Sequence, residues 1–287
     1  MRSRKPFRYL IILPSILLIL FFFIAPYSYM LVTSFRPHSQ QPVQGFTIAN
    51  YVKGLTDGYY AGVLLFTLIL GAVTTISTLL LGYPLAYHFA QRETKYKGVF
   101  LIMVLSPLLT DVVIRCYGWM LLLGDRGFIN NALIAIGLVK NPLPLMYNVG
   151  GVYVGLVHVY LPFMVLSLIG SIQSIDPNLR DAARSLGATS VKSFFKVTLP
   201  LSLPGIASGC ILVFLLSVSS YVIPILLGGN KVMITPVLVI QTVLEALNWP
   251  FGAALAFILF SCAAIIVALL FLFLDKLTKG TSVREKA

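Results

Sequence analysis

The chain has 287 residues, of which 58% are hydrophobic and only 10% are charged, and its mean hydropathy is +0.93. Soluble domains carry about 25% charged residues, so this composition excludes a soluble globular protein and indicates an integral membrane protein in the lipid bilayer. The formal net charge of +12 does not indicate a nucleic-acid partner, because the basic residues are grouped between long apolar segments.

Six segments are apolar over about the twenty residues that a helix needs to cross the hydrocarbon core. Backbone groups in lipid must be hydrogen-bonded within their own segment, so each segment is expected to be a helix. The sequence therefore predicts an all-α, polytopic membrane helix bundle with six transmembrane helices. The first apolar run is too long for a cleaved signal peptide, so it is expected to be retained. The predicted spans are residues 9–33, 61–90, 98–123, 149–171, 204–228 and 251–274.

The basic residues mark one side of the membrane. Lys and Arg concentrate in cytoplasmic loops, and fifteen of the 21 such residues lie in four groups, at residues 2–8, 92–97, 180–196 and 276–286. We therefore expect both termini and the loop at about 172–203 to face the cytoplasm. The predicted divisions are a cytoplasmic N-terminal segment, a transmembrane domain and a cytoplasmic tail, at residues 1–8, 9–274 and 275–287.

The third predicted span contains two charged residues, Asp111 and Arg115. Charges within the bilayer are costly and usually face the interior of a bundle. Residues four apart share a helix face, so the first interpretation is an intramembrane ion pair between these two side chains. The alternative is that Asp111 faces the solute pathway and attracts a cation. Tyr117, Trp119 and Tyr221 would then offer aromatic faces to ammonium groups.

The loop at 172–203 begins with the pattern of a short, capped helix. Asp176 is a suitable N-cap, Pro177 fits the first helical turn, and Gly187 suits the left-handed residue after a helix end. A helix is therefore predicted over residues 177–186. Ala182 and Ala183 lack long side chains, so a partner surface could approach this helix closely.

A second piece of the loop has an amphipathic pattern. Thr189 or Ser190 is predicted to cap it, and Pro200 and Pro204 are expected to end it and to begin the next span. On these residues alone, a solvated interhelical loop remains the alternative to a docking site. The apolar positions of this piece are Val191, Phe194, Phe195 and Val197.

The order of residues in this loop resembles the EAA loop of permease subunits in binding-protein-dependent ABC importers. In that family the loop forms a coupling helix that enters a groove of the ATPase. The chain departs from the family pattern with Asp for Glu at 181 and Val for Ile at 197. The resemblance implies an ATPase-coupling role for Asp181, Ala182, Ala183, Gly187, Val197, Leu199 and Pro200.

Other segments are similar to permeases for spermidine and putrescine, a branch that includes uptake systems for opines and other small cationic or amino-acid-like solutes. On the residues alone, the external loops Asp125–Asn131 and Asn248–Ala254 would be aromatic anchors at the lipid interface. The similar stretches are Asp111–Trp119 with Gly127, Asn130 and Asn131, then Leu161–Met164 and Trp249–Ala254.

The resemblance implies the type I ABC importer permease (MetI-like) fold and a place in the bacterial inner membrane. One chain would form half of the translocation pathway, completed by a second, homologous permease. Two ATPase subunits would hold ATP and Mg, and a periplasmic solute-binding protein would deliver the solute. No Walker motif occurs in this sequence, so no cofactor and no catalysis by this chain are expected. The scattered Cys and His residues predict no metal site.

Two other classes of protein are alternatives to an importer permease. A secondary transporter driven by an ion gradient predicts intramembrane acids or broken helices near mid-membrane, and Asp111 is the candidate acid. A membrane-embedded enzyme needs converging nucleophiles, bases or metal ligands, which three separate His residues do not supply. A secondary transporter would also leave the polar loop at 172–203 without a role.

Overall fold

The computed structural model describes residue 14 and residues 17–37, 45–91 and 97–282. The predicted segment 1–8, the start of the first span, the basic residues within 92–96 and the end of the predicted tail, 283–287, lie outside the described residues. Within the described ranges all regular elements are helical, as predicted. The α-helices are α1 (Ala25–Ser34), α2 (Ala49–Thr56), α3 (Gly58–Gln91), α4 (Lys97–Leu105), α5 (Val112–Leu123), α6 (Phe128–Ala135), α7 (Val149–Gln173), α8 (Pro177–Ser185), α9 (Ser190–Ser193), α10 (Leu199–Leu201), α11 (Leu203–Val218), α12 (Thr235–Ile240) and α13 (Trp249–Ser282).

Four continuous helices in the described ranges are long and apolar enough to cross a membrane: Leu17–Ser34, Gly58–Ala90, Val149–Gln173 and Trp249–Leu274. In three further places, two successive helices are together long and apolar enough to cross a membrane, but the chain bends by 62° to 100° between them. Length and composition thus allow four to seven spans in these ranges, which is compatible with the six predicted.

The predicted third span, 98–123, is not one straight helix. A 3₁₀ turn at Ser106–Leu109 follows α4 and contains Pro107, and Thr110 is extended. Asp111 then caps α5, because its carboxylate accepts a hydrogen bond from the Val113 N–H. The helical segments before and after this break meet at 100°.

The predicted fifth span, 204–228, is also interrupted, because α11 ends at Val218 and a π-helical turn at Pro224–Gly228 follows. The predicted spans left residues 229–250 outside the membrane. The structure places α12 and a second π-turn, Gln241–Glu245, in that stretch. This second helical segment is bent by 79° from Pro224–Lys231.

The described residues divide into two compact units, and the first contains residue 14 and residues 17–37, 45–62 and 238–261. Tyr27 packs edge-on against Phe257 with ring centroids 4.9 Å apart. The buried Asn50 side chain donates to the carbonyl oxygens of Ser34 and Arg36, each at 2.9 Å, so α2 is tied to the end of α1.

The second unit contains residues 63–91, 97–237 and 262–282. Its core surrounds α7, whose Leu156, Met164 and Leu168 are fully buried. α7 packs along α11, where a Cβ at Gly209 would come within 2.7 Å of the Met164 sulfur. Small residues let membrane helices approach closely, so Gly209 permits this contact.

Candidate functional site: the loop at 172–203 and the charged face of α5

The loop helix α8 forms as predicted, because its ends satisfy the backbone locally. Asp176 accepts a hydrogen bond from the Asn178 N–H at 2.9 Å, and Pro177 occupies the first turn. At the other end, the N–H groups of Gly187 and Ala188 donate to the carbonyl oxygens of Arg184 and Ala183. This pair of bonds is a Schellman motif.

Gly187 has a φ of +85°, which an L-residue adopts only with strain. A Cβ at this position would meet no atom within 4 Å. Glycine is therefore required at position 187 by the backbone conformation and not by a lack of space for a side chain.

The surface of α8 carries apolar side chains that nothing in the described chain covers. Leu186 is 89% exposed and Leu179 is 47% exposed. Asp181 and Ala182 are exposed as well, and Ala183 is half-buried. Exposed leucines beside small residues form a surface that another protein could cover.

The second piece of the loop is longer and better anchored than predicted. Thr189 caps α9 by accepting from the Lys192 N–H at 3.3 Å, as predicted. A π-turn, Phe194–Thr198, then carries the helical path onward to α10. Pro200 therefore does not end this piece. It lies in the first turn of α10, where a helix does not require the backbone N–H that proline lacks. Pro204 occupies the first turn of α11, as predicted.

Aromatic contacts join this loop to the C-terminal part of α3. The Phe194 ring contacts Tyr83 and Tyr87 edge-on, with centroids 5.6 Å and 5.1 Å apart. The Tyr83 hydroxyl is hydrogen-bonded to the Ser202 hydroxyl at 2.8 Å. Val197, Leu199 and Pro200 are half-buried. The sequence pattern showed an amphipathic piece but not this attachment, because the contacts are made between residues more than 100 positions apart.

The two charged residues of the third predicted span have different surroundings. Asp111 is exposed and its carboxylate caps α5. Arg115 is half-buried, and its Nε and Nη1 atoms are buried without a hydrogen-bond partner in the described chain. The predicted ion pair between the two side chains is not formed within the described residues, and the pair stays a prediction for the protein in its membrane.

The candidate aromatic residues do not gather at one place. Trp119 is half-buried against the core of the second unit and contacts the His158 ring edge-on, with centroids 5.4 Å apart. Tyr221 packs against the same core. Tyr117 is exposed on another face of α5. The pathway role of these residues therefore stays a prediction.

Asn130 has a structural role that the sequence pattern did not show. Its side chain is fully buried and donates to the carbonyl oxygens of Gly124 and Leu143, each at 3.0 Å. The Leu143 N–H donates back to the Asn130 Oδ1 at 2.8 Å. This amide thus holds the segment after α6 against the end of α5.

Within the described residues, no group of three or more His, Cys, Asp or Glu side chains is close enough to hold a metal ion. Cys116 and Cys210 are buried free thiols and Cys262 is a half-buried one.

The chain belongs to the family of binding-protein-dependent transport system inner membrane components, whose sequence pattern matches residues 99–280. The class of protein is therefore a permease component of an ATP-driven importer, and the gradient-driven transporter is set aside. The helix breaks at Thr110 and after Val218 are therefore not evidence for a gradient-driven transporter.

Curated relatives cover most of the chain. The spermidine/putrescine transport system permease protein PotB of Haemophilus influenzae is 37% identical over 83% of this chain and 84% of its own length. The protein of the same name from Escherichia coli K12 is 36% identical over 73% of this chain and 76% of its own. The recognition of the family from the loop residues and the outer segments is thereby confirmed.

Solved structures confirm the predicted MetI-like permease fold. A chain of a bacterial ABC transporter for import of the acidic polysaccharide alginate aligns with a TM-score of 0.81 at 20% identity, covering 96% of this chain and 97% of that one. The alginate transporter in complex with its pentasaccharide-bound periplasmic protein aligns with the same TM-score at 19% identity. At this identity the likeness shows the fold alone.

Proposed function

We propose that this chain is a transmembrane permease subunit of an ATP-driven importer for polyamines. The observation that carries the proposal is the similarity to PotB over more than four fifths of the chain. It is supported by the capped helix α8, whose surface leaves Leu179 and Leu186 open to a partner. Opines and related small cationic or amino-acid-like solutes are the second candidates within the same class.

The partners follow from the class. A second permease would complete the pathway, two ATPase subunits would bind ATP and Mg, and a periplasmic binding protein would deliver the solute. The chain itself would catalyse no covalent chemistry and hold no cofactor. Both termini and the loop at 172–203 would face the cytoplasm of a bacterium, because the ATPases are there.

The loop would transmit ATP-driven movement to the spans. Asp181, Ala182, Ala183 and Gly187 form or end the helix that the ATPase would hold. Val197, Leu199 and Pro200 lie in the half-buried piece that Phe194 attaches to α3. A displacement of α8 would therefore be passed to α3 through packed side chains.

Asp111 is our candidate for attracting the cationic solute, because its carboxylate is exposed beside a break in the helix. Tyr117, Trp119 and Tyr221 are candidates for contacting the ammonium groups along the pathway.

The test is uptake by the complete complex in proteoliposomes with ATP inside and binding protein outside. We expect radiolabelled spermidine to accumulate, and unlabelled putrescine to compete better than an opine. Uptake of a labelled opine with no uptake of spermidine would contradict the polyamine assignment and leave the importer class intact. Omitting the binding protein is the matched control.

A further inference from the structure

The second piece of the loop, Ser190–Leu201, leaves the following span at a steep angle. The chain bends by 62° between this piece and α11. Because α11 belongs to the predicted fifth span, the piece runs closer to the plane of the membrane than to the membrane normal.

One face of the piece is packed against the end of another span. The Phe194 ring contacts the rings of Tyr83 and Tyr87, with centroids 5.6 Å and 5.1 Å apart. Both tyrosines lie in the last two turns of the membrane-spanning part of α3, Gly58–Ala90. The piece is therefore held at the level where α3 leaves the hydrocarbon core.

Another face of the piece is open and combines an aromatic ring with two cations. Phe195 is 59% exposed, and Lys192 and Lys196 are exposed beside it. Neither ammonium forms an ion pair within the described residues. The loop at 172–203 has four basic side chains and two acidic ones, so this surface is positively charged.

This combination fits the headgroup region of a bilayer. A helix in the membrane interface places apolar side chains at the boundary of the acyl chains and its lysines among the headgroups. Anionic lipids of the cytoplasmic leaflet attract Lys residues near the surface. The ATPase is a poorer occupant, because a protein surface would have to provide a fixed carboxylate for each ammonium that it desolvates.

We propose that Ser190–Leu201 is an interfacial helix whose Lys192 and Lys196 bind the phosphate groups of anionic phospholipids. Phe195 then lies at the boundary of the acyl chains. The inference rests on the proposed function, which puts this loop on the cytoplasmic side. Because α8 leads into this helix and Phe194 joins the helix to α3, anionic lipid holds the point about which α8 moves. Stimulation of ATP hydrolysis by the binding protein therefore depends on anionic lipid.

Contact with lipid is measured at position 195 in the complete complex, in nanodiscs of phosphatidylethanolamine and phosphatidylglycerol. Cys116, Cys210, Cys262 and the accessible thiols of the partner subunits are replaced, and Phe195→Cys carries an apolar nitroxide spin label. We expect oxygen, which concentrates in lipid, to relax this label more than a water-soluble nickel chelate does. The matched control is Ser185→Cys, exposed on α8, where we expect no excess of oxygen over nickel.

The two lysines are tested by binding-protein-stimulated ATP hydrolysis in phosphatidylcholine vesicles with increasing phosphatidylglycerol. We expect the double variant Lys192→Gln/Lys196→Gln to need about threefold more phosphatidylglycerol for half-maximal stimulation, because two attractive charges are lost. Replacing both lysines with Arg should preserve the wild-type dependence. The control Lys140→Gln/Lys231→Gln removes two exposed charges from the predicted outer side and should preserve it as well.

Three results would overturn the proposal. A label at 195 that responds more to nickel than to oxygen faces water, and a label shielded from both is covered by protein, as by the ATPase. The third is an unchanged dependence on phosphatidylglycerol in the Gln double variant. The solute assignment fails separately, because the spin-label measurement requires neither solute nor ATP. If the complex takes up no spermidine while the label at 195 lies in lipid, the interfacial helix stands.

Discussion

Gly187 combines an open surrounding with a backbone conformation that few residues adopt. Its φ is +85° and its N–H closes the Schellman motif at the end of α8. The conformation could be predicted from sequence because it depends on residues within one short helix. The direction that the chain takes after α8 depends on this conformation of Gly187.

We expect Gly187→Val to misplace α8, because a left-handed conformation costs an ordinary L-residue about 1–2 kcal/mol and a β-branched one more. Solute-stimulated ATP hydrolysis by the reconstituted complex should fall strongly while the spans stay inserted. Gly187→Asn is the control, since Asn tolerates this region, and should retain most of the activity. Wild-type stimulation in the Val variant would remove the case for this loop as the coupling element.

The sequence predicts that Asp111 and Arg115 lie near each other, but it does not predict which hydrogen bonds their side chains make. A break in the helix turns Asp111 into an N-cap, and the four-residue spacing gave no sign of the break. Arg115 acts electrostatically on His158 of α7, which is distant in sequence.

A double-mutant cycle measures what this pair does. We expect Asp111→Asn to keep the cap and the stability of the complex but to lower spermidine uptake, whereas Asp111→Ala should cost about 1 kcal/mol through the lost cap. If Asp111 attracts solute, adding Arg115→Met will not restore uptake. A coupling energy above about 1 kcal/mol between Asp111→Asn and Arg115→Met would instead show that the ion pair forms. Thermal stability and uptake are read on the same preparations.

Among the elements, α8 was the most predictable and the broken spans were the least. Asp176, Pro177 and Gly187 carry the signals for α8 within a dozen residues. The interruptions at Thr110 and after Val218 lie within segments that the sequence predicts as single spans, because mean hydropathy does not distinguish a straight span from a broken one. The N-terminus of α12 is fixed by a distant residue, because the Thr235 N–H donates to the Thr67 hydroxyl at 2.8 Å.

The contact between α7 and α11 gives a prediction about packing. Gly209→Val should destabilise the chain by about 1–3 kcal/mol, because the new side chain has to displace Met164 from a closely packed site. Gly170→Val is the matched control in α7, where a Cβ would meet no atom within 4 Å. Equal losses of thermal stability for the two variants would contradict the close approach at Gly209.

The attachment of the loop to α3 gives a second prediction at this scale. Phe194→Ala removes two edge-on ring contacts with Tyr83 and Tyr87, each worth about 0.5–1.5 kcal/mol. We expect the ATPase still to bind but ATP hydrolysis no longer to respond to the loaded binding protein. Val191→Ala is the control, since that side chain is 65% exposed. The idea fails if Phe194→Ala preserves the response.

For the whole molecule, the membrane class and the helical fold followed from composition and from six apolar segments. The family followed from seven loop residues and from three further stretches that are similar to polyamine permeases. The partners and the solute are proposals, because they depend on surfaces that other chains complete. The assignment of the loops and termini to one side of the membrane rests on the distribution of Lys and Arg.

Crosslinking of α8 to the ATPase tests the central claim most directly. In a background with Cys116, Cys210 and Cys262 replaced, Ala182→Cys should be joined to the ATPase subunit by a short crosslinker that has one thiol-reactive and one amine-reactive end, with a yield that changes when ATP is bound. Ala135→Cys, exposed at the end of α6 and expected on the opposite side of the membrane, should give no such product. Absence of the product at 182, or an equal yield at 135, would contradict the account.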